Sequence, residues 1–221
     1  CCLFTTHLYM FNLENYNKIK EKVEKNKKTA KIIAISKFHS QDAVIDAINK
    51  GIRLFGENRV QEAYTKFNDL KARHNDIELH FTGSLQTNKI KQAIRLFDVF
   101  HTIFKEKQLI EFSKFDEELK NKKFFIQVNT GLEESKSGIF PKDVKEFTNL
   151  CTNKYNLNVE GLMCIPPINE MPTKHFKLLK DLNKEAGLSK LSMGMSGDYE
   201  EAINCGSDYI RIGTLLFGSR K

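Results

Sequence analysis

The chain has 221 residues, with 35 Lys and Arg against 28 Asp and Glu, so its formal net charge is +7 at pH 7. Hydrophobic residues make up 40% of it and include 17 Phe, enough for a sizeable core, which excludes disordered and collagen-like chains. Five Cys, an odd number without a C-x-x-C pair, indicate neither a disulfide framework nor a zinc site. A reducing compartment fits best, and we expect a cytoplasmic protein.

Most of the positive charge lies near the amino end of the sequence. Residues 1–40 contain eight Lys and three Glu, a net charge of +5 out of +7. Tyr16, Ile19 and Val23 recur here at helical spacing, which predicts a helix with a solvated lysine face. The alternative is a nucleic-acid-binding segment, whose binding would weaken with salt and disappear on deletion of residues 1–28. No interleaving of aromatic and basic residues supports it, so we predict no nucleic-acid partner.

The first residues show no targeting signal. No apolar run in the chain approaches the roughly 20 residues of a membrane-spanning helix, so we expect no membrane association. The segment before Asn12 lacks the basic region and the small-residue cleavage site of a secretory signal. Because Met10 opens the predicted helix, we expect residues 1–9 to be a non-native or disordered leader and residues 10–221 to form a single domain.

From Ala30 onward, short apolar runs rich in β-branched and aromatic residues alternate with stretches of helical spacing. Between the runs, Ser40 is predicted to cap a helix that ends before Gly51, and Pro141 to lie in the first turn of another. Thr173 is predicted to cap a helix that stops at Gly187. Eight runs are predicted to be strands: Lys31–Ser36, Arg53–Gly56, Glu78–Gly83, Asp98–Phe104, Lys123–Asn129, Val159–Ile165, Lys190–Met193 and Tyr209–Ile212.

Eight such repeats with continuous apolar strands predict a parallel sheet covered by helices. Closure into a single (β/α)8 barrel, the TIM barrel, is the favoured fold. An open doubly wound sheet is the alternative, but the G-x-G-x-x-G fingerprint of that fold is missing, because residues 36–41 read SKFHSQ.

In TIM barrels the functional residues follow the carboxyl ends of the strands. Lys37 comes directly after the first apolar run, so it would enter the barrel mouth, where desolvation favours a neutral, nucleophilic amine. Such an amine can form a Schiff base with a carbonyl compound. The competing interpretation is a lysine that has simply reached solvent at the end of a strand.

Two glycine-containing segments mark the same end of the barrel, MGMSGD after the seventh strand and RIGTLLFG after the eighth. Phosphate sites in these barrels often use these two loops and the start of a short helix, here predicted from Tyr199 to Asn204. The alternative is a pair of ordinary turns. The residues that would contact a phosphate are Gly194, Ser196, Gly197, Gly213 and Thr214.

A phosphate site beside an amine-bearing lysine suggests a phosphorylated carbonyl compound, and pyridoxal phosphate satisfies both requirements. Arg211 would face the same interior and meet the pyridine nitrogen. A permanently charged arginine there keeps that nitrogen unprotonated and weakens the electron sink that most pyridoxal enzymes use. Such a site would hold the cofactor better than it would use it.

Other polar residues are weaker candidates. His80 lies within the third strand and would contact the cofactor ring or satisfy a polar layer of the barrel, and Asn58 and Asn129 are similar cases. Lys136 follows the fifth strand and would be a second basic group at the mouth or an exposed loop lysine. His101 is predicted to be a core residue. No spacing of ligand residues predicts a metal site.

These residues lie in segments that resemble the pyridoxal phosphate homeostasis proteins, from about Lys31 to Arg220. The segments are AISK, FGENRVQE, HFTGSLQTNK, HTI, SKSG, GLMCIP, LSMGMSGDYEEAI and RIGTLLFG, in that family's order. The chain departs from the family at Phe38-His39, where a Thr-Lys-like continuation is more usual, and at Leu79, where the family has an aromatic residue before the position of His80.

The resemblance implies a type III, alanine-racemase-like barrel that holds pyridoxal phosphate as a Schiff base on Lys37. It places the phosphate near Ser196, Gly213 and Thr214, and Arg211 at the ring nitrogen. Two further residues would line the pocket, Asn58 and Met195.

The family is regarded as a carrier or regulator of vitamin B6 and amino-acid pools without an established enzymatic activity. We therefore expect a non-catalytic protein of intracellular vitamin B6 homeostasis, with pyridoxal-phosphate-requiring apoenzymes as partners and a monomeric or weakly dimeric state.

The alternative is an amino-acid racemase or decarboxylase on the same barrel. Those enzymes need an additional β domain whose groups, from a partner subunit, complete the active site. The sequence reaches Lys221 soon after the eighth predicted strand, so we expect acid–base catalysis to lack one of its two opposed groups.

Overall fold

The structure is a computed structural model that describes residues 10–25 and 29–219. The predicted leader, residues 1–9, lies outside the described residues. The eight strands are β1 (Lys31–Ile35), β2 (Leu54–Glu57), β3 (Glu78–Phe81), β4 (Val99–Ile103), β5 (Lys123–Val128), β6 (Val159–Cys164), β7 (Lys190–Met195) and β8 (Tyr209–Ile212).

The strands form a closed parallel barrel in chain order, which confirms the predicted TIM barrel. The barrel closes between β8 and β1, where Arg211 pairs with Ile33. Each predicted strand is present with its ends within two residues of the prediction. The largest difference at a functional segment is β7, which continues to Met195 because the strand passes through Gly194 with a positive φ of 94°.

Helices connect the strands and cover the outside of the barrel. Among the described residues they are α1 (Leu13–Lys25), α2 (Gln41–Asn49), α3 (Val60–Arg73), α4 (Ile90–Leu96), α5 (Glu106–Phe112), α6 (Asp116–Leu119), α7 (Val144–Asn149), α8 (Pro172–Glu185), α9 (Tyr199–Cys205) and α10 (Thr214–Phe217). No helix in the described part of the chain is long and apolar enough to span a membrane.

The predicted helix ends are partly right. The Ser40 hydroxyl accepts a hydrogen bond from the Ala43 amide at 3.3 Å, as an N-cap does. Pro141 opens a 3-10 turn that precedes α7, so it does not lie in the first α-helical turn. Thr173 is not the cap of α8, because the helix already begins at Pro172, whose fixed φ and missing N–H suit that position.

The predicted amino-terminal helix is present as α1 and packs on α10. Its Ile19 and Val23 are buried, whereas the charged residues of the other face are exposed. The Asn15 side chain donates a hydrogen bond to the Leu215 carbonyl at 2.9 Å, and the rings of Phe11 and Phe217 lie 5.3 Å apart. The first described helix therefore supports the segment that follows the last strand.

Candidate functional site

A cavity of about 300 Å³ lies at the carboxyl ends of the barrel strands, where β1, β7 and β8 meet. Seven predicted residues line it together: Lys37, Met195, Ser196, Gly197, Arg211, Gly213 and Thr214. The cavity is also lined by Ile35, His39, Thr82, Ile165 and Gly218. Residues from both ends of the sequence line one cavity because closure of the barrel places β1 beside β8.

The turn that carries Lys37 is anchored on both sides by polar contacts, which are buried at Ser36 and exposed at Phe38. Ser36 donates from its hydroxyl to Glu57 at 2.7 Å and accepts at its carbonyl from Lys66 at 2.7 Å. Lys66 also pairs with Glu57 at 2.5 Å, and burial raises the pKa of the Glu57 carboxyl despite this ammonium. On the other side, the Phe38 amide donates to Glu62 at 2.5 Å.

Phe38 adopts a left-handed φ of 66°, which is uncommon for a residue other than glycine. Its amide bond to Glu62 and the bonds at Ser36 together hold this backbone in place. Lys37 is half-buried between them. The anchors fix where the backbone of Lys37 enters the cavity.

The opposite side of the cavity has the donors of an anion site. A Cβ atom placed on Gly197 would meet no atom within 4 Å, so space lies open in front of this backbone. Within the described residues, the amides of Ser196, Gly197 and Thr214 donate no hydrogen bond to another backbone group. No Asp or Glu is among the described residues that line the cavity, whereas Lys37 and Arg211 are. The donor set and the charge therefore suit a phosphate.

Arg211 is held rigidly although it belongs to the cavity wall. Its side chain is buried, with Nη1 donating to Ser192 Oγ at 2.7 Å and Nη2 donating to the Cys164 carbonyl at 2.9 Å. Burial lowers the pKa of Arg211 from its ordinary value, but a guanidinium remains charged in proteins at neutral pH. It therefore presents a fixed positive charge to the cavity.

The sequence interpretation missed one titratable residue of the cavity, His39. Its ring stacks on Phe217 at a centroid distance of 5.3 Å, and burial lowers its pKa from the ordinary value. Its position two residues past Lys37, where the chain departs from the related family, is the signal that would have found it.

Five other candidate residues do not line this cavity. One of them, Asn129, follows β5 and donates from its side chain to the Glu133 carbonyl at 2.8 Å. Asn58 lines a separate cavity of about 770 Å³, where its buried Oδ1 has no hydrogen-bond partner among the described residues. His80 is fully buried inside the barrel, and Lys136 is exposed on its loop. Gly194 is buried within β7, where an added Cβ would lie 2.5 Å from the Cβ of Ala202, so the glycine permits α9 to pack closely.

In the described part of the chain, no group of three His, Cys, Asp or Glu side chains could hold a metal ion. His101 is buried, as predicted for a core residue, but it contacts polar groups as well as Phe125. His80 of β3 lies beside it in the barrel interior.

Comparisons with known proteins show the family of this chain. The family model of the alanine racemase N-terminal domain matches residues 13–221. The pyridoxal phosphate homeostasis protein of Aquifex aeolicus is 38% identical over 221 residues, which cover 95% of each chain. The chain belongs to the pyridoxal phosphate homeostasis protein family.

Solved structures place this family member on a known barrel. PipY of Synechococcus elongatus without pyridoxal phosphate superposes with a TM-score of 0.83 at 30% identity, covering 93% of this chain and 99% of PipY. PipY with pyridoxal phosphate bound gives 0.80 at 29% identity with the same coverage. Alanine racemase of Corynebacterium glutamicum gives 0.68 at 14% identity over 93% of this chain and 60% of the racemase, which shows a shared fold alone.

Proposed function

We propose that this chain binds pyridoxal phosphate at the cavity lined by Lys37 and acts in vitamin B6 homeostasis as a carrier or regulator. The observation that carries the proposal is the meeting in one cavity of an amine, a fixed guanidinium and backbone amides that donate to no other backbone group among the described residues. Its volume of about 300 Å³ suits a small ligand. Membership of a family whose relatives are named for pyridoxal phosphate homeostasis supports the same assignment.

Each end of the cofactor has a suitable partner in the cavity. Ser196, Gly213 and Thr214 would bind the phosphate, and Arg211 would lie at the ring nitrogen. Met195, which is partly exposed, would cover the ring from the side of β7. Asn58 lines the neighbouring cavity of about 770 Å³, so any contribution it makes would come from outside the cavity of Lys37.

Lys37 would hold the aldehyde of the cofactor covalently and reversibly. The amine and the aldehyde condense with loss of one water, and addition of one water releases both unchanged. The fixed charge of Arg211 would keep the ring nitrogen unprotonated, which limits electron withdrawal into the ring. These properties favour storage and release of the cofactor over catalysis by it.

One observation favours the second candidate, an amino-acid racemase or decarboxylase. His39 lines the cavity, and because burial lowers its pKa, it is a neutral potential base at pH 7. Incubation with amino acids in deuterated water separates the two candidates. Sustained exchange at Cα at enzyme-like rates, lost in His39→Phe, would identify an enzyme, and its absence supports a carrier.

The proposal also includes the class of protein that receives the cofactor. Pyridoxal-phosphate-requiring apoenzymes are the partners that such a carrier would serve. A cytoplasmic location, a monomeric or weakly dimeric state and the absence of nucleic-acid binding stay predictions of the sequence.

Absorbance of the protein with pyridoxal phosphate, before and after borohydride, tests the assignment of Lys37. We expect a yellow protein that borohydride bleaches, with the reduced label found on Lys37 by peptide mass spectrometry. Lys37→Ala should abolish the label, while Lys31→Ala, at the other end of β1, should retain it. A yellow, borohydride-reducible Lys37→Ala protein with the label on another lysine would contradict the proposal.

A further inference from the structure

A row of polar side chains crosses the barrel interior from the cavity to the amino end of β3. Arg211 donates to Ser192 Oγ at 2.7 Å, and this oxygen lies 2.8 Å from His101 Nδ1. His101 Nε2 lies 2.8 Å from His80 Nδ1, and His80 Nε2 lies 2.9 Å from a Glu78 carboxylate oxygen. The four contacts join β8, β7, β4 and β3 in one continuous path.

The path is shielded from water along its centre. Ser192, His101 and His80 are fully buried, and Glu78 alone reaches partial exposure. The His101 ring stacks on Phe125 at 4.7 Å with the two planes nearly parallel. These rings cannot turn away from their partners without disturbing the core.

The two ends of the path determine where every proton lies. The Glu78 carboxylate can only accept, so a neutral His80 donates from Nε2 and accepts at Nδ1 from His101. A neutral His101 that donates from Nε2 must accept at Nδ1, so the Ser192 hydroxyl donates to it, and the Ser192 oxygen accepts from the Arg211 guanidinium, which can only donate. Each ring therefore carries its proton on Nε2.

The electrostatics agree with this direction. Burial lowers the pKa of His80 and lowers that of His101 well below the ordinary value, so both rings are neutral. The hydrogen bond from His80 lowers the pKa of Glu78 to about 2, which keeps its carboxylate an acceptor. Lys123, 3.6 Å from the other Glu78 oxygen, stabilises the same charge.

We propose that Ser192, His101, His80 and Glu78 form a one-way hydrogen-bonded relay that positions Arg211 for the ring nitrogen of the cofactor. Of the five residues on the path, Arg211 alone lines the cavity, so the other four are positioning residues. The relay fixes the Ser192 hydroxyl as an acceptor for Arg211, because its proton is already committed to His101. This inference rests on the proposed function, which assigns the cofactor to the cavity.

Nitrogen-15 NMR of the histidine rings in the cofactor-free protein tests the direction of the relay. At pH 7.5 we expect His80 and His101 to be neutral, each with its proton on Nε2. Titration with pyridoxal phosphate should shift both rings, and Ser192→Ala should abolish the shift at His80. A cationic ring, or a proton on Nδ1 of either ring, would overturn the relay whether or not the cofactor binds.

Equilibrium dialysis with pyridoxal phosphate tests the positioning role. Ser192→Ala should raise the dissociation constant about tenfold, because a hydrogen bond to a charged group is lost. Ser207→Ala is the matched control, since Ser207 is a buried serine of the same region that bonds only to backbone. Equal dissociation constants for the two variants would overturn the positioning role.

Two glutamates at the amino end of the barrel provide the second pair of variants. Glu78→Gln removes the charge that ends the relay, and we expect the dissociation constant to rise about threefold. Glu160→Gln removes a similar charge near Lys123 but off the path, and we expect no change. Equal values for the two would overturn the far end of the relay. Failure of the unaltered protein to bind pyridoxal phosphate would instead overturn the proposed function and the positioning role with it.

Discussion

Gly194 illustrates how one residue supports the cavity without lining it. Its φ is 94°, and an added Cβ would lie 2.5 Å from the Cβ of Ala202 and 3.2 Å from the Cα of Tyr199. Neither neighbour can move like the end of a long side chain. The glycine therefore brings α9 close to β7, just before the segment that carries Ser196.

Gly194→Ala should destabilise the protein by about 2–4 kcal/mol, because left-handed backbone strain and overpacking both contribute. Gly187→Ala is the matched control. Gly187 also has a positive φ, 71°, but an added Cβ there meets nothing within 4 Å, so only the strain of about 1 kcal/mol is expected. Urea unfolding measures the difference, and equal losses in the two variants would contradict the steric argument.

Single residues also show what the sequence could and could not predict. Lys37 and Arg211 were found because each adjoins or lies in a strand whose apolar run is clear. His39 was missed because a loop residue is not part of a helical or strand pattern of apolar residues. Asn58 was expected in the Lys37 cavity because the end of its strand was predicted correctly, but the sequence does not show the direction of its side chain. The contacts of Ser192 with His101 depend on barrel closure, which brings residues 91 positions apart into contact.

At the scale of elements, α1 acts as a support for α10. The Asn15 side chain bonds the Leu215 carbonyl, and the Asn12 amide bonds the Leu216 carbonyl at 2.8 Å. α10 has only four residues and cannot hold its shape alone. Its position, and that of Thr214 at its start, depends on α1.

Asn15→Ala should therefore loosen α10. We expect faster hydrogen exchange at the amides of residues 216–218 and a loss of about 1 kcal/mol in the free energy of unfolding relative to Asn17→Ala. Asn17 is exposed on the same helix, so both variants gain the same helix propensity and differ in the lost hydrogen bond. Exchange rates that match in the two variants would argue against the supporting role.

At the scale of the whole molecule, the net charge of +7 does not describe the site. Much of it belongs to the amino-terminal region, where α1 presents its lysines to solvent. The barrel interior instead holds a few charges with defined partners, such as Glu78 and Arg211. The eight-strand architecture was predictable because eight short, mostly apolar runs alternate with stretches of helical spacing, as in a parallel sheet covered by helices.

The buried histidines should make the protein less stable in mild acid. In the unfolded chain His80 and His101 take up protons below their ordinary pKa of 6.5, whereas burial lowers their pKa in the fold. The unfolded state thus binds more protons, and stability falls as the pH drops below about 6.5. Glu78, with its pKa lowered to about 2, adds a loss between about pH 4.5 and 2.

Urea unfolding between pH 7.5 and 5.5 measures this dependence. His101→Asn should lessen the fall in stability over that range, whereas His74→Asn, at the carboxyl end of α3, should leave it as in the unaltered protein. Glu57 and Asp198 act in the opposite sense, because burial raises the pKa of each, and both variants retain them. An unchanged fall in His101→Asn would show that the ring is not kept neutral by the fold.

The pairing of β1 with β8, which closes the barrel, has a consequence for biosynthesis. Lys37 is synthesised some 175 residues before Arg211, Gly213 and Thr214, and domains fold as they emerge. A growing chain thus has the amine long before it has the proposed phosphate-binding residues. At the proposed site, both ends of pyridoxal phosphate would be bound only when translation has passed the eighth strand.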